Sequence, residues 1–75
     1  MDFLEALQLN RGCILLHRTL KNYDGTPQRF RVNGMVKTWR TMPERIQVPL
    51  KRGFSQFGYL TEQNLEEFEV MMNEY

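Results

Sequence analysis

RFRVNGMVKTW, residues 29–39, decides how this chain is read. Two alternating segments flank Asn33-Gly34, a dipeptide that tolerates the positive φ angles of a type I′ turn. The pattern predicts a β-hairpin. A two-residue loop would place Val32 opposite Met35, Phe30 opposite Lys37 and Gln28 opposite Trp39. Phe30, Val32, Met35 and Trp39 then share a core-facing side with the stem of Lys37. Arg29, Arg31 and Arg40 share the other side with Val36 and Thr38.

C-terminal to the hairpin, Pro43 interrupts and Ile46, Val48 and Leu50 alternate with Arg45, Gln47 and Lys51, which predicts another strand. Pro49 has no amide proton, so that strand is expected at a sheet edge. Arg45 and Lys51 would extend the arginine side of the hairpin. KRGFSQFGYL, residues 51–60, adds Arg52 and the rings of Phe54, Phe57 and Tyr59, with Gly53 and Gly58 marking a bulge or tight bend. Thr61 then suits an N-cap, Leu60 can staple to Leu65, and Leu65, Phe68 and Met72 recur at helical spacing. A helix to about residue 72 is expected, with Glu62, Glu66, Glu67 and Glu69 on its solvated surface.

N-terminal to the hairpin, Asp2 and Glu5 fit a capping box and Gly12 a helix stop, with Phe3, Leu4 and Leu7 on one face. CILLHRTL, residues 13–20, ended by the turn residues YDGTP, is expected as a strand with both faces largely covered, although its periodicity also fits a helix. The expected fold is α+β in one domain over residues 1–75. It comprises a short N-terminal helix, an antiparallel sheet of four to five strands and a C-terminal helix packed on the sheet. The nearest variant is an SH3-like or OB-like barrel capped by helices.

A chain of 75 residues supports one core, and the large apolar side chains are needed there. Charge is uneven. Residues 21–52 hold Lys21, Arg29, Arg31, Lys37, Arg40, Arg45, Lys51 and Arg52 against Asp24 and Glu44, whereas residues 53–75 hold Glu62, Glu66, Glu67, Glu69 and Glu74 with no basic residue. Such a split suits an anionic partner for one half and a cationic partner for the other. The single cysteine, Cys13, points to a reducing compartment. No signal-peptide pattern and no run of about 18 apolar residues is present, so a cytoplasmic protein without a membrane partner is expected.

Catalytic chemistry finds few residues. Cys13 and His17 would neighbour on a helix, but on a strand they stand about 13 Å apart, too far for proton transfer. One Cys and one His fall short of a structural zinc set. Gly53 to Gly58 has the span of a phosphate loop, yet Tyr59-Leu60 follows where Lys-Ser/Thr is required. No enzyme, metal or cofactor is expected.

Three resemblances bear on binding. RGFSQFGY, residues 52–59, resembles the RNP1 strand of RNA recognition motifs, which implies base stacking. Gln56 stands at the fifth place, where that family has an aromatic, and the turn residues of 21–34 leave no room for its long first helix. NGMVKTW and KRGFSQFGYL resemble the Gly-x-Val-Lys-Trp and Lys-Gly-Phe-Gly-Phe-Ile strands of cold-shock domains, although PERIQVPL separates them here. VNGMVKTWRTMPERIQVPLKRGFSQFGYLTEQN, residues 32–64, resembles a block in short uncharacterised proteins of phages and mobile elements. That resemblance implies a small binder directed at a host protein or at nucleic acid.

The residues lead to a binding module that contacts nucleic acid through Arg29, Arg31, Arg40, Arg45, Lys51 and Arg52, with Phe54 and Tyr59 as stacking candidates. The alternative is a phage-type modulator that binds a protein through Glu62, Glu66, Glu67 and Glu69 or through an edge strand, which could also pair two copies into a homodimer.

Overall fold

β1 (Ile14–Lys21) and β2 (Pro27–Val32) form the first antiparallel pair of the computed structural model, which describes residues 1–72. Glu74 lies outside the described residues. The connecting turn is closed by Asn22 N, which donates to Thr26 O at 2.7 Å. Asp24 Oδ1 accepts from Thr26 N at 3.0 Å and from Thr26 Oγ1 at 2.6 Å. An aspartate that bonds the backbone two residues on is a strong turn former. Asp24-Gly25, within the expected YDGTP turn, therefore joins β1 to β2, whereas Asn33-Gly34 makes no hairpin of its own.

β2 runs on instead of turning back. Arg31 pairs with Lys51 and Val32 with Leu50 of β4 (Ile46–Arg52), and after an interruption β3 (Lys37–Thr38) pairs with Gln47 and Ile46 of the same strand. Residues 33–36 thus oppose only Val48 and Pro49. The cause is Pro49. Asn33 N donates to Pro49 O at 2.9 Å, but proline has no N–H to return, so the ladder lapses and the chain bulges outward. Gly34 crosses the proline ring so closely that a Cβ would meet Pro49 Cγ at 2.9 Å. With β1 on one edge of β2 and β4 on the other, no edge is left for residues 35–39 to pair with β2. The expected register fails accordingly: Met35 is exposed and Trp39 is half-buried outside the core, whereas Phe30 is a core residue.

β5 (Ser55–Thr61) covers the other edge of β4, so the proline-containing strand is central rather than at an edge. The ladder tolerates Pro49 because its vacant donor position falls at the bulge. Gly53-Phe54 is the tight β4–β5 turn. Leu50 pairs with Gly58 and Lys51 with Gln56, leaving Phe57 as an extra residue. Gly58 adopts φ +146°, a conformation open to glycine. That bulge resets the phase and brings the Phe57 ring to 4.4 Å from Phe30.

The expected C-terminal helix is absent, and this overturns the α+β assignment. Thr61 opens a single turn: its Oγ1 accepts from Gln63 N at 3.3 Å, and Asn64 Oδ1 accepts from Thr61 N at 2.8 Å. A 3-10 turn, Leu65–Glu67, follows, and then β6 (Phe68–Met72) lies antiparallel to β1. The free edge of β1 offers this segment a ladder of backbone partners, whereas a helix of this length is marginal alone and leaves its terminal N–H and C=O groups unpaired. Phe68 and Val70 alternate with Glu69 and Met71, so Phe68 reaches the core at 1% exposure.

The result is a mostly antiparallel β fold with spatial order β5, β4, β2 with β3, β1, β6. Its one α-helix among the described residues, α1 (Phe3–Leu7), shows both bonds of the Asp2/Glu5 capping box. α1 docks through Ala6 and the following Leu9, with Phe3 partly buried, while Leu4 and Leu7 are exposed rather than forming its inner face. The helix-capped barrel variant lacks its second helix. Leu15, Phe30, Val32, Ile46, Val48, Leu50, Leu60 and Phe68 fill the core, each contributing about 1.5–3 kcal/mol by leaving water. No helix among the described residues is long and apolar enough to cross a membrane.

β1 carries its own irregularity. Between Leu16–Arg29 and Lys21–Pro27, residues 17–20 oppose Gln28 alone. The amides of Thr19 and Leu20 lose their ladder partners there. His17 Nδ1 accepts both, at 3.1 and 2.9 Å. That makes Nδ1 the acceptor, and the Nε2 proton faces Glu67 Oε1 at 3.4 Å. The ring is buried, edge-on to Phe68 at 4.9 Å.

Candidate nucleic-acid interface

Alternation fixes which side chains leave the core. On β2, Phe30 and Val32 are buried, so Arg29 and Arg31 face outward. On β4, Val48 and Leu50 are buried and Pro49 and Lys51 face outward. On β1, Leu15 and His17 are buried, leaving Ile14, Leu16 and Arg18 outside. The registers Ile14–Arg31–Lys51 and Leu16–Arg29 then set these residues side by side on one sheet face.

A groove of about 500 Å³ lies on that face, lined by Ile14, Arg29, Arg31, Lys51, Phe54 and Met71 among others. None of its described lining residues is acidic. Phe54 stands at the tip of the β4–β5 turn with its ring fully exposed at 102%. Arg52 lies beside it, its Nη1 donating to Gln28 Oε1 at 3.2 Å. Tyr59 is half-exposed and paired with Pro49, two residues along β4 from Lys51, so it shares the outer face. Phe54, Lys51 with Arg31, and Tyr59 therefore follow one another along the strand direction.

The six expected cations divide into two groups. Arg29, Arg31, Lys51 and Arg52 gather around the groove and the adjacent turn. Arg40 and Arg45 belong to the segment entering β4 and do not line the groove, Arg45 standing about 20 Å from Lys51 at six strand residues. Arg45 there lies 4.4 Å from the Trp39 ring centroid, and Lys37 Nζ lies 5.2 Å from it. Trp39 is thus a seat for cations rather than the core residue expected, and each contact contributes about 0.5–1 kcal/mol.

The acidic residues are largely committed within the fold. Glu62 Oε1 accepts from Ile46 N at 3.3 Å, Glu67 meets His17, and Glu69 pairs with Arg18 at 3.4 Å. Glu66 is exposed.

Among the described residues, Cys13 and His17 are both drawn into the fold. Cys13 is buried, and that burial pushes its thiol pKa up, away from the thiolate a nucleophile requires. His17 spends its Nδ1 on two backbone amides. No group of three or more His, Cys, Asp or Glu among the described residues could hold a metal.

Ile14, Arg18 and Met71 were missed as neighbours of the basic face. The outward alternation of Ile14, Leu16 and Arg18 is visible in the sequence, but the apolar run there reads as covered on both faces. Met71 reaches the face only because β6 pairs with β1. No protein-family model matches the chain, and no curated protein or solved structure does either.

Proposed function

We propose that this protein is a small non-enzymatic binding module that contacts nucleic acid through the outer face of β2 and β4. The observation that carries this reading is the convergence of Arg29, Arg31 and Lys51 on one groove without an acidic residue among its described lining. Cations with no acidic residue among the described groove lining suit phosphates, and binding through them releases counterions and weakens as salt rises. Arg52 extends the set, while Arg40 and Arg45 stand apart from it. The alternative, a protein partner recognised through Glu62, Glu66, Glu67 and Glu69, has less support because three of these carboxylates already meet partners within the fold.

The test is an electrophoretic mobility shift with mixed-sequence oligonucleotides at low salt. The reading requires a shift that fades steeply with added salt and weakens in Arg29→Ala with Arg31→Ala. Absence of any shift at low salt defeats it.

A further inference from the structure

We infer that the groove takes single-stranded nucleic acid, with one base stacked on Phe54 and its flanking phosphates on Arg29, Arg31 and Lys51. This rests on the phosphate-binding reading above and adds the state of the strand. Three observations carry it. Phe54 is fully exposed at a turn tip while the other phenylalanines are drawn at least partly into the fold. Phe54 lines the same groove as the three cations, so one ligand can meet both. The groove also has apolar lining in Ile14 and Met71, the latter 48% exposed.

A duplex answers only part of this surface. Its bases are stacked inside, so it would press sugars and phosphates against Phe54, Ile14 and Met71, and phosphate is costly to desolvate on apolar groups. An unpaired strand offers both chemistries within one nucleotide unit: a π-face for the ring and an anion for the guanidinium groups. A volume of about 500 Å³ lies within the range of sites that bury a small ligand. Tyr59, farther along the outer face, is placed to meet a following base. Stacking of this kind tolerates any base, so affinity without strong sequence preference is expected.

The experiment is fluorescence anisotropy at low salt with labelled oligothymidine, oligouridine and a duplex of equal length. The inference requires the single strands to bind roughly tenfold or more tightly than the duplex, and Phe54→Ala to remove roughly that factor from single-strand binding alone. Because Phe54 is fully exposed, its replacement leaves the core intact. Phe54→Trp must retain affinity, and its added emission must be quenched on binding. Duplex binding as tight as single-strand binding, or an unchanged affinity in Phe54→Ala, overturns the single-strand inference while leaving the groove a phosphate site. No binding of any of the three overturns the groove reading itself.

Discussion

Replacing His17 by alanine should destabilise the protein more than any exposed substitution, because the imidazole completes the backbone of β1. The variant leaves the amides of Thr19 and Leu20 without their acceptor, bonds of 3.1 and 2.9 Å. Each is worth about 0.5–1.5 kcal/mol net, the lower part of that range applying because both residues are exposed and water can reach them. Loss of the ring packed edge-on against Phe68 adds a cavity, and the sum is about 2–4 kcal/mol. A chain of 75 residues has a total stability of about 4–11 kcal/mol, so the loss would be conspicuous. Urea unfolding followed by Trp39 fluorescence measures it. With a slope of about 1 kcal/mol per molar, the midpoint should fall by roughly 2–4 M. Asparagine can place Oδ1 where Nδ1 stands, so His17→Asn should recover about half of the loss. A midpoint within about 0.5 M of the parent for His17→Ala, or no recovery in His17→Asn, would refute the reasoning.

Other predictions concern the bulge, the turn and the thiol. Gly34→Ala should cost about 1–3 kcal/mol in chemical denaturation, because the new methyl meets the Pro49 ring; adding Pro49→Ala should recover part of it, and strict additivity would contradict the contact. The Thr26 hydrogen bonds hold the Asp24 carboxyl below its ordinary value of 3.8. That depressed pKa adds stability which is present above 3.8 and lost as pH falls through the folded value, so Asp24→Asn should flatten the acid limb of the stability curve below about pH 4. Cys13, buried with its thiol pKa raised, should react with thiol reagents far more slowly than in urea, and equal rates would show that the strand is open.

Several features were legible because the local signal and the tertiary demand agree. Asp2 and Glu5 form their capping box, Ile46, Val48 and Leu50 alternate inward, and Cys13 and His17 are buried. Two features failed where local signals competed with pairing. Asn33-Gly34 has the chemistry of a hairpin, but Pro49 creates a missing donor opposite it and Gly34 serves close approach instead. Thr61 does initiate a turn, and Leu65 and Phe68 are core residues as helical spacing suggested. Yet Phe68-Glu69-Val70-Met71 also alternates with period two, and the unpaired edge of β1 selects that pattern. Short apolar segments hold both periods at once, so the neighbour decides. The outward placement of Arg29, Arg31 and Lys51 on one sheet face was legible from alternation alone. The separation of Arg40 and Arg45 was not, because it follows from the bulge at residues 33–36.

The most direct measurement of the central claim is the salt dependence of single-strand affinity, compared between the parent protein and Arg29→Ala with Arg31→Ala. The account predicts a logarithmic slope of about −2 to −3 for the parent, from three or four phosphate contacts, and a slope smaller by about 1.4 in the double variant. Equal slopes for the two proteins, or affinity indifferent to salt, would contradict a phosphate-binding groove built on β2 and β4.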